Sequence, residues 1–185
     1  MAILTMKGHI SRAMDFFNKE SIYAAIGKSS KWGQGDCKEL DGSGFDPTKD
    51  YDSYPPAPAI TDDLLEVIGY KKIEFRSLVV QDDDGTLEYR GSKWKMVTPE
   101  NALTEGARWI YLSTTLTYNE LPTSLPYRQV GIYTGLTPND DIPVSQYVLL
   151  PAEVKSTGIL EILDNRKPVY RDNDVRETIK LILEF

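Results

Sequence analysis

Cysteine and histidine are almost missing from this sequence. Cys37 and His9 are single examples among 185 residues. One cysteine excludes an intrachain disulfide and fits assembly in a reducing compartment. Cys37 stands in a polar, Gly-rich stretch with Lys38 as its adjacent cation, and reads as a bystander thiol. The same scarcity nearly excludes a zinc site. A Ser-His-Asp or Cys-His arrangement would have to use His9, whose flanks offer nothing to support that role.

Basic runs are absent too. Lys28 and Lys31 are close, as are Lys71 and Lys72, but no five basic residues stand together and the net charge is −7. Such a chain repels nucleic acid, so no nucleic-acid partner is expected. No apolar run reaches the length of a membrane span, so no membrane partner is expected. The start, Met1 to Ile10, is broken by Lys7, Gly8 and His9 and lacks a signal-peptide core, so the chain reads as soluble and untargeted.

Motifs for chemistry are equally sparse. Ile26-Gly27-Lys28-Ser29 resembles the end of a phosphate-binding loop, but the Gly needed five residues before Gly27 is Ile22. Asp82-Asp83-Asp84 and Asn139-Asp140-Asp141 lack the spacing of an EF-hand loop and read as solvated turns. No pair of acids is singled out for glycoside hydrolysis. The expectation is a non-enzyme with no cofactor and no metal.

What the chain does contain is aromatic and β-branched residues, with eleven Tyr, five Phe and three Trp. These suit strands and interfaces. Residues 9–19 predict a short helix, with Ile10, Ala13, Met14 and Phe17 at helical spacing and Ser11 as a cap. Ser21–Gly27 reads as a buried strand. Lys28–Ile60 loses all periodicity and carries four Gly and Pro47, Pro55, Pro56 and Pro58. It also holds Trp32, Tyr51 and Tyr54, so it reads as an ordered arm rather than a disordered linker.

Thr61–Ile68 predicts a one- or two-turn helix. Strands follow at 70–81, 86–89 and 93–97, with Asp84-Gly85 as a hairpin signal. Residues 99–106 form a turn or short helix, 108–118 the strongest strand, and 127–133 another. Residues 138–143 are a loop and 144–150 a strand. Residues 159–170 read as a hairpin turning at Asp164-Asn165. In the final strand, Ile179, Leu181, Leu183 and Phe185 face one side and Lys180 and Glu184 the other. Trp94 and Trp109 are expected in the core.

The fold class expected is mainly β: an antiparallel sandwich, immunoglobulin-like or an open barrel, with a short N-terminal helix and a long irregular arm. The expected division is 1–20 helical, 21–60 strand plus arm, and 61–185 sandwich core.

Three segments carry a resemblance. Tyr23–Lys28 (YAAIGK) is followed by Trp32, an acidic stretch and Pro55-Pro56-Ala57-Pro58. Tyr127–Gly131 reads YRQVG. Gly158–Arg171 (GILEILDNRKPVYR) is closed by the alternating strand that reaches Phe185. In order and character these resemble the baseplate wedge family of contractile-tailed bacteriophages. The stretch between Trp32 and Pro55 is longer and richer in Gly than that pattern.

The resemblance implies a structural virion subunit in the phage tail, assembled in the host bacterial cytoplasm. It would be used in symmetric copies beside other wedge, tube, sheath or neck subunits. A neck, collar or tail-completion role is the nearest alternative. A host-glycan-binding β-sandwich module is the alternative from another class.

Candidate interface residues follow. Tyr23, Trp32, Tyr51 and Tyr54 are aromatic anchors, with core as the competing reading for Tyr23. Pro55, Pro56 and Pro58 stiffen the arm so that it lies along a partner at low entropic cost. Lys28 belongs to the first motif. Arg128 and Arg171 are expected to pair with acids, within the subunit or across an interface.

Overall fold

A computed structural model describes residues 3–34, 36, 45–57, 63–172, 174 and 176–185. Cys37 and Pro58 lie outside these residues, as does the expected helix start at Thr61. The chain is mostly β, with antiparallel sheets and a short N-terminal helix, as its residue pattern predicts. It divides into two compact units. One comprises Met1–Glu20, Ile73–Thr115 and Thr178–Phe185; the other comprises Ser21–Lys72 and Leu116–Glu177.

The first unit begins with helix α1, Met6–Phe17. It starts earlier than the sequence suggests because Thr5, not Ser11, caps it, its hydroxyl accepting from the Gly8 N–H. Ile10, Ala13 and Phe16 are its buried face. The sheet contains β3 (Phe75–Gln81), β4 (Leu87–Tyr89), β5 (Ser92–Val97), β6 (Trp109–Leu116) and β12 (Glu177–Glu184). Their order is β12-β6-β3-β5-β4. Between β5 and β6 lie a 3₁₀ turn, Pro99–Asn101, and the one-turn helix α2, Ala102–Glu105, which ends on Gly106 at φ 71°.

Register assigns the two faces of this sheet. Leu78 lies opposite Val97 and Ile110, and Arg76 lies opposite Leu112. The Arg76 guanidinium lies 5.4 Å from the Phe17 ring centroid and donates to the Lys19 carbonyl, so this face meets the helix. Val79 lies opposite Met96 and Trp109, and Gln81 opposite Trp94, on the other face. Trp94 and Trp109 therefore stand half-buried outside the helix-covered core, edge to face at 5.8 Å, contrary to expectation. The alternation read in the last strand holds: Ile179, Leu181 and Leu183 are buried while Lys180 and Glu184 are exposed.

The second unit is built on β1 (Ile22–Gly27), β2 (Gly69–Lys72), β7 (Tyr127–Thr134), β9 (Val148–Leu149) and β11 (Ile159–Val169), in the order β11-β7-β1-β2-β9. A small pair, β8 (Thr137–Pro138) with β10 (Val154–Ser156), adds to it. Every residue of β1 and β7 is buried; β1 is the apolar run that a central strand requires, while β7 also buries Arg128, Gln129 and Thr134. Tyr23, Ala25, Leu64, Tyr70, Tyr133, Leu136 and Leu149 form one core cluster.

Three local expectations are corrected. Residues 159–169 form one long strand and not a hairpin, because Asp164 and Asn165 continue the ladder opposite Val130 and Gln129. Residues 63–68 form a turn and not a helix; the Leu64 and Leu65 N–H groups bond to the Tyr133 hydroxyl and Gln129 Oε1. Of 144–150 only Val148–Leu149 is strand, since the preceding residues turn.

Candidate protein interface

The arm is held at its root by a knot around Lys28. Gly27 ends β1 against the 63–68 turn; a Cβ on it would come 2.5 Å from the Leu65 carbonyl oxygen. The Lys28 N–H bonds to that same oxygen at 2.6 Å. Lys28 and Glu66 both adopt left-handed backbone, at φ 55° and 46°. Side-chain bonds hold them there. Lys28 Nζ lies 2.9 Å from Glu66 Oε1, 2.8 Å from Asp36 Oδ2 and 2.8 Å from Ser30 Oγ. Glu66 Oε2 accepts from the Ser29 hydroxyl and the Ser30 N–H, both at 2.8 Å.

Burial disfavours charge on both partners of this knot. For Glu66, hydrogen bonds from Ser30, Lys28 and Ser29 outweigh that burial and hold its carboxyl well below the usual range. For Lys28, bonds to Asp36 and Glu66 outweigh burial and raise the ammonium above its ordinary value. The ion pair is thus firmly charged.

Trp32 lies over this knot, with Lys28 Nζ 5.9 Å from its ring. Trp32 and Tyr51 are buried together, with Phe45 and Leu65 packed against them. Phe45 and Tyr51 stack at 5.3 Å. The Tyr51 hydroxyl accepts from the Asp46 N–H at 2.9 Å. Asp50 accepts from the backbone of Asp52 and Ser53, an Asx-type turn.

Arg128 clamps the arm to β7. It is 2% exposed. Its Nε and Nη2 donate to the two carboxylate oxygens of Asp52 at 2.7 and 3.2 Å, and Nη1 donates to the Ser29 carbonyl at 2.7 Å. Gln129 Nε2 donates to Asn165 Oδ1, and Asn165 Nδ2 donates to the Pro56 carbonyl, both at 2.9 Å. The Arg-Gln pair in β7 therefore holds both the arm and the 63–68 turn.

Most of the candidate interface residues are thus spent inside their own unit. Tyr23 is core, its competing reading. Lys28, Trp32, Tyr51, Pro56 and Arg128 are buried. Arg171 binds the carbonyls of Thr117 and Leu121, at 2.8 and 3.2 Å, where a carboxylate partner was expected. Pro55 is half-buried. Tyr54 differs: 79% of it is exposed. Beside it opens a cavity of about 460 Å³ lined by Lys49, Asp50, Tyr51, Tyr54, Pro55, Pro56 and Ala57.

The anchors Asp36, Asp52 and Glu66 escape sequence reading. Each is one acid among many, and only the fold gives it a cation. Gln129 and Asn165 carry a signal through the YRQVG strand and the Gly158–Arg171 segment, but not their roles as anchors.

The buried cations Lys28 and Arg128 thus fasten an aromatic arm to its β-rich unit. The chain belongs to the family described as baseplate wedge 3 tail fiber network component, whose model matches residues 1–185. It is also similar to Virion protein 3 of Enterococcus phage phiEF24C, with 33% identity over 191 residues, covering 99% of this chain and 94% of the relative. Family and relative are structural proteins of phage particles, and the family implies contact with other phage structural proteins. No described helix is long and apolar enough to cross a membrane.

Proposed function

We propose that this chain is a wedge component of the tail baseplate and acts by mediating subunit assembly, without catalysis. It would be assembled in the host cytoplasm and used in several symmetric copies. One observation carries the assembly reading: Tyr54 is displayed, 79% exposed, on a segment that Arg128–Asp52 and Asn165–Pro56 hold rigid. An aromatic side chain fixed before docking contributes large contact area with little loss of freedom. Tyr54 and Pro55 then make the contact with a neighbouring tail protein. Lys28, Trp32, Tyr51, Pro56 and Arg128 support it from beneath, and Tyr23 and Arg171 support the unit as a whole.

The test is a Tyr54→Ala phage. The variant chain is expected to fold with unchanged thermal stability while particles lack or under-fill the baseplate. Cross-linking of wild-type particles should join residues 49–57 to another wedge or fibre subunit. Full assembly with Tyr54→Ala, or cross-links only to neck proteins, refutes the proposal.

A further inference from the structure

The two five-stranded sheets leave four edges, and three are guarded against pairing with another chain. β9 spans two residues and β4 three. β11 is long but carries Lys167, Pro168 and two register shifts, at Leu160/Ile162 and Asn165/Val169. β12 has none of these devices except Lys180. It runs eight residues without Pro or Gly, and among the described residues no strand pairs with its outer side.

The direction of its backbone groups follows from two bonds. The Phe185 N–H bonds to the Arg108 carbonyl, and the Thr115 and Thr178 hydroxyls meet at 3.2 Å. Together these fix an antiparallel register in which odd-numbered residues of β12 turn their amides towards β6. Thr178, Lys180, Ile182 and Glu184 turn theirs to the open edge.

We infer that β12 is a self-pairing edge, and that its occupant is β12 of a second copy of this chain, related by a two-fold axis at Ile182. Charge selects this register. Placing Ile182 opposite its own copy sets Lys180 against Glu184, and by symmetry Glu184 against Lys180. All three pairs fall on residues whose amides face outward, so they are hydrogen-bonded pairs. Centring the axis on Lys180 sets like charges together, and centring it on Leu181 sets Lys180 against Ile182. Opposite charges across a strand pair stabilise it, and like charges oppose it. The inner face agrees: Leu181 meets Leu183, continuing the buried row. Lys180 and Glu184 are both exposed; Glu184 pairs with Arg108 at 2.9 Å within its own sheet but stays 59% exposed, which leaves a carboxylate oxygen for a neighbour's Lys180. This pairing stands apart from the proposed role of the arm.

The test is sedimentation velocity of the full chain over a concentration series. Wild type is expected to reach twice its chain mass. Lys180→Glu and Glu184→Lys alone should each weaken the dimer by about tenfold or more, since each sets like charges together at two pairs. Mixing these two variants, or combining both changes in one chain, should restore it. Ile182→Pro removes one outward N–H and no bond to β6, and should abolish the dimer. Should that variant misfold by circular dichroism, the charge variants, which change only exposed side chains, decide alone. A monomer at every concentration overturns the inference, as does a dimer indifferent to these changes. So does a β12 whose amides gain exchange protection only inside the particle, which would mean a strand from a different protein fills the edge.

Discussion

Replacing Asp52 by Asn should loosen the arm and destabilise the unit that carries it. The carboxylate lies 2.7 Å from Arg128 Nε, and the guanidinium it neutralises is 2% exposed. Removing one partner of a buried pair typically costs about 3–5 kcal/mol, because the remaining charge stays desolvated. Asp52 is 27% exposed, so water can approach the vacated side and the cost drops somewhat below that range, to about 2–4 kcal/mol. That is a large share of a total stability of roughly 5–15 kcal/mol. In a chain of this size about 3 kcal/mol corresponds to a fall in melting temperature of roughly 6–12 °C.

The assay is urea and thermal unfolding, with limited proteolysis to report cleavage between residues 45 and 57. A double variant, Asp52→Leu with Arg128→Met, removes both charges and should cost less than Asp52→Asn alone. The pair also sets a pH dependence. The hydrogen bond from Arg128 holds the Asp52 carboxyl below its ordinary value. Its contribution is therefore complete above the unfolded carboxyl range near pH 4 and is lost as pH falls through the lower folded value. If Asp52→Asn unfolds within about 1 kcal/mol of wild type and the arm resists protease equally, the clamp behaves as an ordinary surface pair and the reasoning fails.

Three further outcomes are expected. Glu66→Gln should flatten the acid side of the stability profile, since the depressed Glu66 carboxyl stabilises the fold above about pH 4.5 and loses that effect as pH falls; unfolding midpoints from pH 7 to 2 check it. Gly27→Ala should cost about 2 kcal/mol or more by chemical denaturation, because the new Cβ meets a backbone oxygen and not a side chain that can swing aside. Tyr133→Phe should cost about 1–3 kcal/mol, since its hydroxyl accepts from the buried Leu64 N–H at 2.9 Å and nothing apolar replaces it; hydrogen exchange at Leu64 should speed up in step.

Where the sequence carries a period, it is legible. The alternation of Ile179, Leu181 and Leu183 puts those side chains inside, and the apolar run of β1 is buried along its whole length. Asp164-Asn165 looks like a turn but continues a strand, because Asn165 finds partners in Gln129 and Pro56 that local propensity cannot foresee. Thr61–Ile68 scans as a helix start, but bonds from β7 take up the Leu64 and Leu65 amides first. The arm shows the same limit. Its aromatics are plain in the sequence, and an arm bound to a neighbour was the natural reading. Yet Trp32 and Tyr51 are buried on their own unit, since the acid that fastens the arm, Asp52, pairs with an arginine 76 positions away. Of the four aromatics singled out in the sequence, only Tyr54 is exposed.

The division of the chain bears on how it is made. The polypeptide passes between the units at 20/21, 72/73, 115/116 and 177/178. During synthesis the unit beginning with α1 has its helix and four strands available early, but Ile179, Leu181 and Leu183 reach it only with residues 178–185. The place of that last strand then stays empty while residues 116–177 of the other unit are translated. A chain cut short after Glu177 therefore carries one finished unit joined to one that lacks its last strand, a species for chaperones or proteases and not for a particle.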